Sequence, residues 1–303
     1  MISKFLNYLK SPKNAAKVVL AHCSFLPDKV CVRWQYKLNM GLSINLDEPT
    51  LLTEKINWLK LYYHNPKLHE YVDKYEVGNY VSKKIGAEYV IPCIGVWDDV
   101  DSIDLSTLPD QFVLKCTHDS GSVVICRDKN SFDWEKARIW LSKRMNYNYF
   151  ATKREWAYKD VKPRIIAEPF IPGLGTADSV EYKLTVYNGK VHFITVCTGI
   201  AHASYSDRFN DHFTPEWERL PFYVNYKPTG KDIKKPPFMD EMVRMSEILA
   251  DDLPQVRVDW YVVNNKMIFG EMTFYTWAGY MHFVPNEWNK TLGSWLVLPE
   301  KKV

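Results

Sequence analysis

The chain has 303 residues, of which 46% are hydrophobic and 25% charged, as in a soluble globular protein large enough to divide into two or three lobes. The 39 basic and 36 acidic residues are interspersed, so the net charge of +3 arises without the basic run of a nucleic-acid-binding protein. The six cysteines form no CxxC pair and no zinc-like spacing, which favours reduced thiols in the cytoplasm.

The N-terminal part of the chain is predicted to be mainly helical. Residues 1–20 have only short apolar stretches between charges, so they predict neither a signal peptide nor a transmembrane helix. A basic amphipathic helix there would either touch an anionic membrane or pack on its own domain, and the second is favoured. Apolar spacing predicts a helix over Leu52–Tyr63, and another over Asp73–Ile85 with Asp73 as its N-cap.

The pattern then changes to short strands. Asn188-Gly189 is the residue pair of a type I′ turn and predicts a hairpin between its flanking strands. Residues 199–236 are predicted to be a polar, aromatic loop. Strands are predicted over Tyr89–Trp97, Gln111–Cys116, Ser122–Cys126, Arg164–Glu168, Tyr182–Tyr187 and Lys190–Cys197, helices over Trp134–Met145 and Met239–Leu249, and a second hairpin over Val256–Phe274. This order predicts an α+β fold.

The second hairpin carries the most informative polar residues. Arg257 and Asp259 share a face of its first strand, and Glu271 and Thr273 share a face of its second, because side chains alternate along a strand. A three-residue loop over Asn264–Lys266 places Asp259 opposite Glu271, and a two-residue loop separates them unless a bulge intervenes. With the two carboxylates paired, the opposite face holds Val258, Trp260, Ile268 and Met272.

Two opposed carboxylates on a partly covered sheet repel each other unless a cation lies between them. Magnesium prefers oxygen ligands and binds through one or two carboxylates together with substrate phosphates. Asp259 and Glu271 are therefore candidate magnesium ligands. The alternative is a surface salt bridge between Asp259 and a neighbour such as Arg257.

Lys115 lies in an otherwise apolar strand, where a lysine normally has an anionic partner. The small residues of Thr117–Ser122 follow it and would let backbone N–H groups curl over phosphates. The loop is not a Walker A sequence, and the chain contains no GxGxxG. Lys74, Lys115 and Lys183, together with the two hairpin carboxylates, would match a triphosphate and its magnesium.

Five motifs in this order carry a family resemblance: Glu54-Lys-Ile-Asn-Trp-Leu-Lys60, Phe112-Val-Leu-Lys115, Arg257-Val-Asp259, Phe269-Gly-Glu-Met-Thr-Phe274 and Trp288 … Leu292-Gly293. The chain resembles the ATP-grasp superfamily, and within it the TupA-like ATP-grasp group of bacterial surface-polysaccharide biosynthesis, over about residues 40–298. The resemblance implies two α+β lobes clasping ATP after a mainly helical region. The predicted divisions are 1–88 for the helical region, 89–170 for the small lobe and 171–303 for the large lobe.

The resemblance also implies a nucleotide site, a metal site and two catalytic cations. Lys74 and Lys115 would contact the α- and β-phosphates, and Glu181 the ribose. The remaining nucleotide-binding residues would be Ser120, Gly121 and Ser122 in a phosphate flap, and Glu168, Pro169 and Ile171 at the adenine. Lys183 and Arg257 would stabilise the transferred phosphate, and magnesium would be held by Asp259, Glu271 and, where ligases usually carry Asn, Thr273.

The implied activity is a carboxylate–amine ligase that uses ATP and Mg²⁺. It would join a small-molecule or glycan carboxylate to an amine through an acyl phosphate, forming an amide on a sugar acid or amino sugar of capsular or cell-wall polysaccharide. A kinase-like phosphotransferase, a glycosyltransferase and a non-catalytic nucleotide-binding module remain alternatives. Asp99-Val-Asp101 is the string nearest to the DxD motif that glycosyl transfer predicts.

Four histidines lie near these segments, namely His118, His202, His212 and His282. A lone histidine is more often structural, and His118 is the best exception because it lies in the flap. The loop Ala201–His212 mixes cations, carboxylates and aromatic residues. Such a loop is equally typical of a sugar or amino-acid acceptor site and of a protein surface.

Overall fold

The computed structural model describes residues 11–22, 25–176, 179–199 and 207–301. Within these ranges the chain forms nine α-helices and eleven strands. The helices are α1 (Pro12–His22), α2 (Asp28–Met40), α3 (Leu52–Tyr62), α4 (Lys67–Val72), α5 (Glu76–Ile85), α6 (Trp134–Met145), α7 (Tyr149–Lys153), α8 (Met239–Ala250) and α9 (Trp288–Trp295). The strands are β1 (Gly95–Trp97), β2 (Phe112–Cys116), β3 (Val123–Cys126), β4 (Ile165–Pro169), β5 (Glu181–Tyr187), β6 (Lys190–Thr198), β7 (Phe209–Phe213), β8 (Tyr223–Val224), β9 (Gln255–Val263), β10 (Lys266–Thr273) and β11 (Phe283–Val284). None of the helices within those ranges has the length and apolarity that a membrane span requires.

Two antiparallel sheets organise these elements. The order β1-β4-β2-β3 forms a four-stranded sheet, and β10-β9-β5-β6-β7 forms a five-stranded sheet. Strands β8 and β11 pair in a short ribbon. Helices combined with antiparallel sheets confirm the predicted α+β class.

The five-stranded sheet has two chemically different faces, because alternate side chains point to opposite sides. On one face Leu184, Val258 and Trp260 are fully buried and belong to one hydrophobic cluster with Met242 of α8. The indole Nε1 of Trp260 donates to the hydroxyl of Ser246, 2.8 Å away. The other face carries polar and charged side chains, and it forms walls of the two cavities described below.

The four-stranded sheet has its own core. Phe112 and Leu114 of β2 are fully buried, together with Leu141 of α6. The alternate residues of β2, Val113 and Lys115, face a cleft that also reaches the larger sheet. The small sheet therefore turns one face, which carries Lys115 and Glu168 among apolar residues, to the cleft.

The helical N-terminal region packs into the core of the larger sheet. Tyr36 of α2 and Ile56 of α3 belong to the same hydrophobic cluster as Leu184 and Val258 of the sheet. Helix α3 is also tied to α9, because Asn289 Oδ1 accepts the N–H of Thr53 at 3.1 Å. The divisions at residues 88 and 170 stay predictions, although two separate hydrophobic clusters accompany the two sheets.

Three predicted elements differ from the structure. Of Tyr89–Trp97, only Gly95–Trp97 is a strand. The helix predicted from Asp73 begins at Glu76, where Asp73 Oδ1 accepts the N–H groups of Tyr75 and Glu76 at 2.8 and 3.3 Å. The predicted loop at 199–236 contains β7, an edge strand of the larger sheet. The five cysteines that the structure describes are free thiols.

Candidate active site

The β9–β10 hairpin pairs Asp259 with Glu271 through a bulge, one of the two routes that the sequence left open. Val263 opposes Lys266, so the loop has two residues, Asn264 and Asn265, both at positive φ as a type I′ turn requires. The register then shifts between Phe269 and Glu271. The three-residue loop was therefore wrong, and the predicted pairing of Asp259 with Glu271 is confirmed through the bulge.

Gly270 is the extra residue of that bulge. A Cβ built on it would lie 2.9 Å from Cε2 of Tyr261 and 3.0 Å from the carbonyl oxygen of Asp259. The close approach of the two backbones therefore requires a glycine. The two-residue loop places Ile268 opposite Tyr261, on the polar face, and Phe269 opposite Trp260. The prediction that Ile268 shares a face with Trp260 was therefore wrong.

Asp259 is completely buried, with two cations around it. Its Oδ1 accepts from Nε of Arg257 at 2.6 Å, and its Oδ2 accepts from an Nη of Arg257 at 2.6 Å and from Nζ of Lys183 at 2.7 Å. The same Nη of Arg257 donates to Glu271 and to the hydroxyl of Thr273, each at 3.0 Å. The alternative of a salt bridge to Arg257 is thus present, but it is buried and shared with Lys183.

Lys183 continues this charged row along β5. Its Nζ lies 2.8 Å from Oε2 of Glu181, whose Oε1 accepts from the hydroxyl of Tyr261 at 2.7 Å. Burial alone would lower the pKa of Lys183, but the charge of Asp259 outweighs it and the pKa is raised. Burial likewise opposes the charge of Arg257, whose pKa is nevertheless raised by Asp259. Both cations therefore stay charged at neutral pH.

The flap predicted after Lys115 is a loop that is anchored by contacts of its buried side chains. Buried Asp119 pairs with Arg144 of α6 and accepts from the hydroxyl of Ser122, while Lys74 donates to the Asp119 carbonyl oxygen. The hydroxyl of Ser122 also accepts the N–H of Cys116 at 3.0 Å. Its side chain is therefore turned into the protein, whereas Ser120 and Gly121 face the cleft.

Lys115 has the anionic partner that its place in an apolar strand predicts. Its Nζ lies 2.5 Å from Oε2 of Glu168 on the neighbouring strand, and both side chains are mostly buried. Pro169 and Ile171 follow Glu168 along the same wall of the cleft. Burial lowers the pKa of Lys74 across the cleft, although Asp119 and Glu271 oppose that effect.

One cleft of about 970 Å³ joins most of the predicted nucleotide site, and its volume is typical of a pocket for a drug-sized ligand. It runs between the two sheets and the N-terminal end of α5. The predicted site residues that line it are Lys74, Lys115, Ser120, Gly121, Glu168, Pro169, Ile171, Glu181 and Glu271. Lys183 and Arg257 line instead a second cavity of about 270 Å³, and Glu181 lines both.

The donor set can be tested for one divalent cation. A carboxylate has about four lone-pair positions, and three of those on Asp259 are taken by Arg257 and Lys183, which leaves one on Oδ1. Oε1 of Glu271 accepts from Arg257 and Thr273, and its Oε2 has no hydrogen-bond partner among the described residues. These two oxygens fit one Mg²⁺ that takes its other ligands from phosphate or water. No group of three metal-binding side chains occurs in the described ranges.

Most of the second cavity was not predicted from the sequence. Its floor is the polar face of β5, β6, β7 and β9, including Thr185, Thr195 and Gln255. Polar residues at every second position of these strands indicate a polar sheet face. This alternation was used to predict a site only in the β9–β10 hairpin. Of the acceptor-loop prediction, Asn210 and His212 lie in this cavity, whereas His202 lies outside the described residues.

The other two histidines do not join either cavity. His118 is buried behind the flap, and its ring nitrogens have no hydrogen-bond partner in the part of the chain that the structure describes. Burial lowers its pKa, so its imidazole is neutral at pH 7. His282 is exposed.

A family model described as TupA-like ATP-grasp matches residues 54–297. No curated protein matches the chain significantly. Among solved structures, the ADP complex of the N5-carboxyaminoimidazole ribonucleotide synthetase PurK is 14% identical, with a TM-score of 0.41, over 67% of this chain and 45% of that one. D-alanine–D-alanine ligase from Helicobacter pylori is 15% identical, with a TM-score of 0.39, over 75% of this chain and 61% of its own. D-alanine–D-alanine ligase from Bacillus anthracis, complexed with ATP, is 15% identical over 73% and 57%, with a TM-score of 0.39. The chain thus spans between about half and three fifths of the length of these structures.

Proposed function

The chain belongs to the TupA-like ATP-grasp family, and on that premise we propose that it is an ATP-dependent carboxylate–amine ligase. A carboxylate oxygen would attack the γ-phosphorus of ATP, giving an acyl phosphate and ADP. The amine nitrogen would then attack the acyl carbon, with loss of phosphate and a proton, to form the amide. The observation that carries the proposal is the position of Lys183 and Arg257 on the wall of a second cavity, next to a cleft that holds the predicted nucleotide residues.

The cleft would bind the nucleotide. Glu168 and the backbone of Pro169 and Ile171 would take the adenine, and Glu181 the ribose hydroxyls. Lys74 and Lys115 would contact the α- and β-phosphates. Ser120 and Gly121 of the flap would close over the phosphates, while the hydroxyl of Ser122 holds the loop from inside through Asp119 and Cys116.

The charged row would hold the transferred phosphate. Lys183 and Arg257 remain cationic because Asp259 raises the pKa of each. Fixed cations of this kind stabilise the charge that develops during transfer without reorganisation of solvent. Asp259 and Glu271 would hold magnesium, with Thr273 orienting Glu271 through a 3.0 Å hydrogen bond. When bound, the ion would neutralise charge on the β- and γ-phosphates.

We extend the proposal to a substrate class, a sugar acid or amino sugar destined for capsular or cell-wall polysaccharide, handled in the cytoplasm. The likeness to a polysaccharide-associated group supports this class. The aromatic walls of the second cavity support it as well, since Phe193, Phe222 and Phe283 offer flat apolar surfaces to a ring.

The decisive experiment is an ADP-release assay with ATP and MgCl₂ across a panel of sugar acids and amines, followed by mass spectrometry of the product. The expected result is ADP release that needs both a carboxylate and an amine, with a product heavier by the amine minus water. Glu271→Gln should lower the rate at least about tenfold, as expected for loss of an anionic metal ligand.

Glu247→Gln is the matched control, because Glu247 pairs with Lys190 and lines neither cavity. It should leave the rate within about twofold of wild type. Labelled phosphate on a sugar, without amine-dependent ADP release, would replace the ligase by a sugar kinase. Equal loss in the two variants would contradict the role assigned to Glu271.

A further inference from the structure

Basic and acidic residues are interspersed along most of the chain, but they are not balanced at its N-terminal end. Residues 1–40 contain seven Lys and Arg residues and a single acidic residue, Asp28, so their net charge is +6. The other 32 basic and 35 acidic residues give residues 41–303 a net charge of −3. A charge difference of this kind between two parts of a chain indicates an interaction with an anionic surface.

Helix α2 carries three of these cations on one exposed face. Lys29, Arg33 and Lys37 follow each other at four-residue intervals, so they form a row with a rise of about 6 Å between successive residues. All three side chains are exposed. The rest of the helix surface attaches it to the protein through its buried residues, namely Cys31, Val32, Gln35 and Tyr36. Packing of the buried residues therefore keeps the row of cations turned outward.

The protein does not neutralise this row. Within the described ranges, none of the three cations forms an ion pair, and Lys37 donates only to the carbonyl oxygen of Gly41, at 3.2 Å. Asp28, the acidic residue of this stretch, lies instead 3.7 Å from the buried Arg154. Since no carboxylate of the described chain pairs with these cations, their charge is available to an external anion.

Large apolar side chains are exposed beside the cations. Val30 and Trp34 form a second row on the same helix, and they are 37% and 57% exposed. Phe25, just before the helix, is 81% exposed. Five of the fifteen large hydrophobic side chains that are exposed within the described residues lie between residues 19 and 42. The two rows together form the basic–apolar face of α2, which consists of Lys29, Val30, Arg33, Trp34 and Lys37.

Other exposed apolar residues occur in different surroundings. Several of them line the cleft, as Val123 and Ile125 do. Helix α6 exposes Trp140, but the charges on this helix are paired, because Arg138 forms ion pairs with Glu135 and with an aspartate of the preceding segment. Exposed apolar groups next to unpaired cations are thus a property of α2, and such a patch marks an interaction surface.

The combination of charge and apolar groups favours a lipid surface. Anionic headgroups attract a row of cations, while Trp and Phe side chains enter the boundary between headgroups and acyl chains. A duplex nucleic acid would use the cations but leave the apolar row in water. A protein partner would have to match both rows side by side, whereas a bilayer offers charge above an apolar layer everywhere along its surface.

We propose that the protein attaches to the surface of an anionic phospholipid bilayer through the basic–apolar face of α2 together with Phe25. The helix lies in the plane of the surface, with its row of cations at the lipid phosphates and with Trp34 and Phe25 at the upper end of the acyl chains. This goes beyond the proposed function and does not depend on it, since no residue of the basic–apolar face lines either cavity.

The test is co-sedimentation of the full chain with vesicles of two compositions. One contains phosphatidylglycerol and phosphatidylcholine in equal amounts, and the other contains phosphatidylcholine alone. Binding to the anionic vesicles should be at least about tenfold tighter, and it should weaken when NaCl is raised from about 0.1 M to about 0.5 M. Absence of binding to the anionic vesicles, or equal binding to both compositions, would overturn the proposal.

Two variants separate the contribution of charge from that of the apolar row. Replacing Lys29, Arg33 and Lys37 together by Gln should weaken binding to anionic vesicles at least about tenfold. Trp34→Ser should weaken it at least about fivefold at both salt concentrations, because burial of an apolar group is not screened by salt. All four side chains are exposed, so both variants should keep the wild-type urea midpoint. Wild-type binding by both variants would overturn the assignment to α2.

Each variant has a matched control on another surface. Replacing Lys231, Lys234 and Lys235 by Gln changes the net charge equally, and these exposed lysines flank Ile233, which packs against the core. Trp140→Ser removes an exposed tryptophan from α6. Both controls should bind anionic vesicles within about twofold of wild type. Equal losses in a variant and its control would mean that net charge or general hydrophobicity sets the binding, which would overturn the proposal.

Two further measurements test other occupants of the same face. Binding of a DNA duplex as tightly as the anionic vesicles would assign the face to polyanions in general. A dimer that Trp34→Ser abolishes, found without any vesicle binding, would assign the face to a second copy of the chain. Either result would overturn the lipid surface as its partner.

Discussion

The cleft of about 970 Å³ and the second cavity both reach the polar face of the five-stranded sheet, but their polar groups are paired to different extents. Around the cleft the charges are paired within the protein, as Lys115 is with Glu168 and Asp119 with Arg144. Among the residues that line the second cavity, neutral atoms of Gln255 and His212 are buried without partners within the described chain.

The difference follows from the cost of burial. An unpaired buried ion costs several kcal/mol or loses its charge, whereas an unpaired neutral atom costs about 1–3 kcal/mol. A folded chain can therefore tolerate an unpaired neutral atom, but it must neutralise its charges. Under the proposed function, a nucleotide in the cleft would have to exchange ion pairs such as Lys115–Glu168 for its own contacts.

The largest effect is expected where the pairing is most deeply buried. Asp259→Asn leaves Arg257 and Lys183 without their shared charge, so it should lower the free energy of unfolding by about 3–5 kcal/mol. Glu271→Gln changes a side chain that is 51% exposed, and it should cost at most about 1 kcal/mol. Urea unfolding of both variants measures the difference. Equal losses would mean that burial does not set the cost of these charges.

The second prediction concerns pH and His212 of the second cavity. The pKa of His212 falls from its ordinary 6.5 to about 3 on folding, because burial disfavours the charged ring. Below pH 6.5 the unfolded chain therefore binds a proton that the folded protein excludes, so stability falls as the pH falls. The slope is up to ~1.4 kcal/mol per pH unit, or about 3 kcal/mol between pH 6.5 and 4.

His212→Phe should remove that part of the pH dependence. The measurement is the urea midpoint of wild type and variant from pH 7 to pH 4. The wild-type advantage, whatever its size at pH 7, should shrink steadily on acidification. If the urea midpoints of wild type and variant changed in parallel with pH, His212 would have the same pKa in the folded and unfolded protein, and it would not be a neutral buried group.

Local chemistry allowed much of the site to be predicted from the sequence. A lysine inside an apolar strand requires an anion, and Glu168 supplies it at 2.5 Å. Period-two alternation placed Arg257 and Asp259 on one face, and Asn188-Gly189 gave the β5–β6 turn. These inferences need only neighbours in the chain or across one hairpin.

Features that depend on distant packing could not be predicted in the same way. The bulge at Gly270 reflects an approach of two backbones that no residue pattern measures. The wall of the second cavity joins Ile56 to Phe222 and Met281, far apart in sequence. The hydroxyl of Ser122 points inward because it donates to Asp119, which is buried below the flap. Asp119 is buried there because it pairs with Arg144 of helix α6.

The third prediction tests the bulge that brings the hairpin carboxylates together. Gly270→Ala places a methyl group against Tyr261 and the backbone of Asp259, so it should cost about 1–3 kcal/mol of unfolding free energy. Any backbone shift that relieves this clash moves Glu271 relative to Asp259. The rate of ADP release by the folded variant should therefore also fall. Stability and activity both equal to wild type would show that the strand accommodates a Cβ, and the bulge would then not depend on glycine.

The smallest effect on stability is expected from the Lys115–Glu168 ion pair in the cleft. The side chains of Lys115 and Glu168 are 23% and 14% exposed, whereas that of Asp259 is 0% exposed, so solvent screens the Lys115–Glu168 pair more than the pairs of Asp259. A double-mutant cycle with Lys115→Met and Glu168→Gln should give a coupling of about 0.5–1 kcal/mol in unfolding free energy. Lys115→Met should nonetheless weaken ADP at least about tenfold, because a phosphate contact is lost. Coupling above about 3 kcal/mol without loss of ADP affinity would contradict the proposed role of Lys115 and make the pair structural.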